Sequence, residues 1–128
     1  MADAYGEDYG SDDNIFHERA TYGSVDMILT ADRTSGENAP RTIFERRKDG
    51  KWCVVLASPP VSTITPKIGK DITSRPREWT TITQSAPDFN EIKVVYLWNK
   101  HRAIYMPAYC YYIGRRKLKK FDCSSAYK

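Results

Sequence analysis

Thr42-Ile43-Phe44-Glu45-Arg46-Arg47-Lys48, then Asp49-Gly50, then Lys51-Trp52-Cys53-Val54-Val55-Leu56: the fold class is read first from this stretch. Two runs carrying β-branched and aromatic residues flank Asp-Gly, whose members both tolerate positive φ, so the pattern predicts a tight β-hairpin. A two-residue turn pairs Arg47 with Trp52, Glu45 with Val54 and Ile43 with Leu56 on one face. Pro59-Pro60 then ends the second strand, because proline supplies no ladder donor.

Working outward, Val25 to Thr30 reads as a strand before the loop-forming run Asp32 to Asn38. On the other side, Val61 to Arg77 is rich in Thr, Ser, Lys and Pro. It is expected to be a long exposed connection with one short strand at Val61 to Thr65. Trp79 to Thr83 is expected as a strand and Ser85 to Asp88 as a turn. A second hairpin follows, Glu91 to Trp98 and His101 to Met106 around a two-residue Asn99-Lys100 turn. Its period of two puts Ile92, Val94, Tyr96, Trp98, His101, Ala103 and Tyr105 on one face. Lys93, Val95, Leu97, Arg102, Ile104 and Met106 share the other, whose aliphatic centre suits a core, so the aromatic set is expected to face outward. Pro107 is expected to interrupt pairing before a further strand, Ala108 to Ile113, which Gly114 stops. Arg115 to Phe121 is then extended or forms one or two helical turns. At the other end, residues 1–13 lack aliphatic periodicity and are expected to be a flexible acidic tail. Ser11, Asp12 or Asp13 is expected to cap a two-turn helix through Asn14-Ile15-Phe16-His17-Glu18-Arg19-Ala20. The sum is a mainly β chain: a single small antiparallel β-sandwich or barrel over residues 14–128, with at most one or two short helices.

The 128 residues, 41% hydrophobic and 28% charged, fit one soluble domain. No apolar run approaches the roughly 20 residues of a membrane-spanning helix, so no membrane insertion is expected. The first residues lack the pattern of a secretory signal, so a cytoplasmic or nuclear, non-secreted location is expected. Cys53, Cys110 and Cys123 are odd in number and widely spaced, with no Cys-x-x-Cys, and read as reduced thiols. A Cys110–Cys123 bridge stays open as the alternative.

The net charge of +4 is distributed unevenly. Asp3, Glu7, Asp8, Asp12, Asp13 and Glu18 face no Lys or Arg before Arg19, whereas Lys93 to Lys128 hold nine bases against Asp122 alone. A basic surface attracts phosphates, and an acidic tail can mask it. Cations with aromatic faces are the ingredients of contact with unpaired nucleic acid. Lys93, Lys100, Arg102, Arg115, Arg116, Lys117, Lys119 and Lys120 supply the first, with the basic segment at 115–120. Tyr96, Trp98 and Tyr105 supply the second if their face is open. The expected partner is therefore RNA or DNA. Arg115 to Lys120 also fits the loose pattern of a nuclear-import peptide.

Two other classes compete. Opposite charge along the chain and many tyrosines also suit a self-associating structural or adaptor protein of viral coat or matrix type. A small ribonuclease requires His17 and His101 to act as acid and base, with Lys100 or Arg102 stabilising the developing charge. Glycine-rich nucleotide loops, serine-nucleophile elbows and zinc-protease motifs are missing from the sequence. No catalytic residue, metal ligand or cofactor is assigned, and a non-enzymatic nucleic-acid-binding protein is the preferred expectation.

Overall fold

A computed structural model describes residues 15–32, 38–68, 75–85, 90–114 and 117–126. Nine strands follow in chain order: β1(Ile15–Tyr22), β2(Val25–Asp32), β3(Arg41–Arg46), β4(Trp52–Ala57), β5(Thr63–Lys67), β6(Glu78–Ser85), β7(Asn90–Asn99), β8(Ile104–Ile113) and β9(Leu118–Phe121). One helical turn, α1(Cys123–Ala126), follows them. The strands form two antiparallel sheets in simple sequence order, β1-β2-β3-β4 and β5-β6-β7-β8-β9. Neither closes on itself, so the expected β-rich fold is a small sandwich and not a barrel. Among the described residues no helix is long and apolar enough to cross a membrane.

The core lies between the sheets. Met27, Ile43, Val55 and Leu56 from the first meet Trp79, Val94, Tyr96, Tyr105 and Cys110 from the second. Fully burying such a side chain contributes on the order of 1.5–3 kcal/mol, which makes this cluster the main stabilising element. Trp79, fully buried, makes edge-on contacts with Tyr22 at 6.2 Å and Tyr105 at 6.3 Å, a favoured geometry for opposed ring quadrupoles. Away from the core, Ala39 and Val61 exchange backbone hydrogen bonds of 2.9 and 3.0 Å, joining the segments before β3 and before β5. Asn38 holds both the carbonyl and the N–H of Gln84, which ties that junction to β6.

Several sequence expectations are corrected. The segment through Asn14 to Ala20 supplies most of a strand: β1 pairs along its whole length with β2, from Ile15↔Asp32 to Tyr22↔Val25. Gly23 at φ 62° and Ser24 make the two-residue turn, and this local hairpin outweighs a weak helix propensity. The Asp49-Gly50 hairpin exists with a longer loop. Gly50 donates to the Arg47 carbonyl (2.9 Å) with φ 87°, and Arg47 donates to the Lys51 carbonyl (2.7 Å). This is a turn followed by a left-handed residue, which pairs Arg46 with Trp52, Glu45 with Cys53 and Phe44 with Val54, one step from the expected register. A bulge at Val55 restores the expected Ile43↔Leu56 pair and turns both Val55 and Leu56 to the core.

The last hairpin also has a longer loop than expected. Asn99 pairs with Ile104, leaving Lys100 to Ala103 as the turn. Pro107 does not interrupt the strand: it pairs with Tyr96, while Ala108 is the extra residue of a bulge, a setting in which a sheet tolerates proline. The basic segment extends as β9 from Leu118. Val61 contributes an isolated bridge, and the short strand begins at Thr63, on a sheet edge where Pro66 costs no internal ladder bond. Cys110 and Cys123 form a disulfide, so the reduced-thiol reading holds for Cys53 alone. The argument for a reducing compartment loses that premise. Of the turn expected at Ser85 to Asp88, Ser85 ends β6, and residues 86–88, like the acidic residues 1–13 and Arg115-Arg116, lie outside the described residues.

Candidate nucleic-acid interface

Alternation along β7 decides which side chains face the four-stranded sheet. Val94 and Tyr96 are buried, and Trp98 packs against the same core. On β8, Tyr105 and Cys110 are buried with them. The expected outward set is therefore the inward set: Tyr96 is 2% exposed and Tyr105 4%, so neither offers a ring face to a base. Trp98 is half-buried, edge-on to Tyr105 at 5.0 Å and covered by the Arg75 guanidinium at 4.2 Å from its centroid.

Arg75 belongs to a cluster that no sequence pattern had singled out. Glu45, nearly inaccessible, accepts from Arg75 Nε (3.1 Å) and from Arg75 Nη2 (2.5 Å). Arg47 adds an ion pair to the same carboxylate at 3.5 Å and donates to the Ala103 carbonyl at 2.9 Å. The hydrogen bonds to Glu45 raise the Arg75 pKa above its ordinary value. Beside them the Tyr105 hydroxyl donates to the Pro76 carbonyl at 2.6 Å, and burial raises its pKa well above 10. Every strong charge here is answered by a partner within the protein. The cluster is a strut between the sheets, with no open polar position for a ligand.

The outer face of the five-stranded sheet is different. Tyr111 pairs with Lys93 on β7 and with Lys120 on β9, and Tyr109 pairs with Val95, so these side chains emerge together. Tyr109 is 41% exposed. The Lys120 ammonium stands 4.9 Å from the Tyr109 centroid, and that of Lys93 5.8 Å from the Tyr111 centroid. Leu118, among the most exposed apolar side chains, extends the face along β9. From Lys93 to Phe121 the sequence contains neither Asp nor Glu; β7 does bring Glu91 to the same face, two residues before Lys93 and opposite Ile113, and among the described residues it forms no ion pair with Lys93 or Lys120.

Of the residues singled out from sequence, Lys93 and Lys120 thus meet on one face. Lys100 and Arg102 are exposed in the β7–β8 turn. Lys117 is exposed just before β9 and Lys119 within it, Lys119 opposite Tyr112 and so on the alternate side from Lys120. Arg115 and Arg116 lie outside the described residues. Tyr109 and Tyr111 are the functional candidates that sequence reasoning passed over. Their signal was the triplet Tyr109-Cys110-Tyr111, because a cysteine, so often buried, turns its neighbours outward. His17 and His101 fall on different sheets, the first exposed on β1, the second exposed in the β7–β8 turn. Among the described residues no three His, Cys, Asp or Glu side chains are grouped to hold a metal ion.

No protein-family model, curated protein or solved structure matches the chain.

Proposed function

We propose that the chain binds nucleic acid, laying an unpaired strand of RNA or DNA across the outer face of β7, β8 and β9. The observation that carries this reading is the pair of outward tyrosines, Tyr109 and Tyr111, each with a lysine at its ring that forms no ion pair among the described residues. A lysine over an exposed ring gains only ~0.5–1 kcal/mol. A base stacked on such a ring gains ~1–3 kcal/mol, so the base displaces the ammonium. The released lysine remains next to the phosphates of the same strand and liberates counterions. Residues i and i+2 of a strand lie ~6.5–7 Å apart on one face, which leaves each ring room for a separate base. A duplex, whose bases are already stacked, gains the charge contact alone. The role is that of a binding protein with low sequence preference, since rings and lysines accept any base and any phosphate.

Fluorescence anisotropy with labelled single- and double-stranded RNA and DNA tests this at two salt concentrations. The expected result is a preference for single strands that weakens with salt. Tyr109→Ala and Tyr111→Ala are each expected to weaken binding by about tenfold, within the ~1–3 kcal/mol of one stacked base. Lys93→Gln and Lys120→Gln are each expected to make the salt dependence shallower by ~0.7 in logarithmic slope. Absence of binding at low salt, or affinities that none of the four changes alters, overturns the reading. The charge asymmetry would then serve protein contacts.

A further inference from the structure

The face just described leaves part of the molecule's positive charge unused. Lys100 and Arg102 stand at the far end of the β7–β8 hairpin, seven residues along β7 from Lys93. At ~3.3 Å per residue this is a separation of ~23 Å. At the same end, the β3–β4 turn brings Arg46 and Lys48 to an open cavity of about 320 Å³, with Ser24, Asp26 and Gly50 on its walls. Arg47 lines it as well, but its guanidinium is engaged by Glu45 and by the Ala103 carbonyl. That last bond fastens the two hairpin turns to each other.

The acids at this end are already occupied. Asp26 accepts from Thr21 at 3.0 Å and from Arg19 at 3.3 Å, and the Thr21 bond first, then Arg19 and, without an ion pair, the charge of Arg46, lower its pKa. Asp49 accepts the Lys51 N–H at 2.9 Å within its own turn. Among the described residues Arg46, Lys48, Lys100 and Arg102 form no ion pair, and Lys48, Lys100 and Arg102 are exposed, as is Arg46. Between this end and Tyr109 the outer face carries Leu97 opposite Met106. The nearest acid, Glu78, pairs with Leu97 across β6 and is held by Lys67 at 3.5 Å.

We infer that the joined β3–β4 and β7–β8 turns form a second phosphate-binding site, which takes the backbone of the same strand whose bases rest on Tyr109 and Tyr111. The inference rests on the reading of that face as a nucleic-acid interface. It fixes a property that the face alone does not: a minimum length of ligand. A strand of ~4 nucleotides covers the tyrosines only, while one of ~15 spans both sites, the two limits of the footprints seen for small single-strand-binding folds.

The experiment compares labelled oligonucleotides of about 4 and about 15 nucleotides, of one composition, on three proteins. These are wild type, Tyr109→Ala/Tyr111→Ala, and a variant combining Arg46→Gln, Lys48→Gln, Lys100→Gln and Arg102→Gln. Circular dichroism verifies that each is folded. The four-residue variant is expected to lose at least tenfold in affinity for the long strand, with a salt slope shallower by up to ~3, at ~0.7 per lost phosphate contact. Its affinity for the short strand is expected to match wild type. Equal loss on both lengths while the tyrosine variant is also weakened on both, or no loss on the long strand, overturns the second site. If the tyrosine variant binds both lengths as wild type does while the charge variant loses both, the interface on β7 to β9 is wrong instead. Failure of wild type to bind either length overturns both.

Discussion

At one end of the sandwich Arg75 lies 4.2 Å from the Trp98 ring, and on the outer sheet face Lys120 lies 4.9 Å from the Tyr109 ring. The two arrangements use the same chemistry, a cation over an aromatic face, and differ in what else the cation meets. Arg75 forks onto a buried carboxylate, Glu45, which also takes Arg47, so the charges cancel inside the fold. Lys120 is exposed and, among the described residues, forms no ion pair. A cation beside a ring is therefore not a recognition site in itself. Where the acid is supplied internally it fastens two sheets, and where the acid is missing the charge is left for a partner to answer.

The largest expected effect breaks the internal arrangement. Glu45→Ala leaves two guanidiniums facing each other between the sheets. Removing one member of a buried pair costs about 3–5 kcal/mol, and the partial exposure of Arg75 and Arg47 places this case at the lower limit. Urea unfolding should show the loss, while the remaining folded protein keeps its affinity for a single strand. A drop in affinity beyond the unfolded fraction would mean that the strut also serves the outer face.

A second change acts on how the outer face is assembled. Strand β9 is four residues long and lies at the sheet edge, and the disulfide between buried Cys110 and Cys123 closes the chain around it over 13 residues. Constraining a loop of this size in the unfolded state is worth about 3 kcal/mol. Cys123→Ser is expected to lower stability by about 2–3 kcal/mol and to make the unfolding midpoint insensitive to a dithiol reductant, to which wild type responds. An equal response in both proteins would show that the bridge contributes nothing.

The smallest effect separates the two regions by pH. Burial raises the Tyr105 hydroxyl, so the folded state resists ionisation that the unfolded chain undergoes near 10. Its contribution is fully present below that pH and declines as pH rises through and beyond it. Tyr105→Phe costs about 1 kcal/mol at neutral pH through the lost bond to Pro76, yet its stability should fall less steeply above pH ~10. Parallel curves for the two proteins would remove Tyr105 from the account of alkaline unfolding. Single-strand affinity at neutral pH is not expected to change.

Much of the fold was legible along the chain. Alternation and turn chemistry located the β3–β4 and β7–β8 hairpins, because a period of two and residues fit for positive φ are local properties. The first hairpin was also written locally, as Gly23-Ser24 between Tyr22 and Val25, but the acids before Ile15 drew the reading toward a capped helix. The site was less legible. The two faces of the β7–β8 hairpin are both apolar, Val94, Tyr96 and Trp98 against Val95, Leu97 and Met106, and periodicity groups residues without saying which group is covered.

Sequence by itself thus determined that the chain is β-rich, that its strands meet at short turns, and that nine bases lie from Lys93 onward with Asp122 the single acid among them. Tertiary structure alone decided which aromatics are available. Tyr105, Tyr109 and Tyr111 are all odd-numbered and would share one face of an uninterrupted strand. The bulge at Ala108 inserts one residue between them, so Tyr105 enters the core beside Trp79 while Tyr109 and Tyr111 emerge beside Lys120 and Lys93. A bulge reverses the side of every residue beyond it, and its position is set by how β8 packs against β7 and the opposite sheet. That packing is a property of the assembled sandwich, which no local pattern contains.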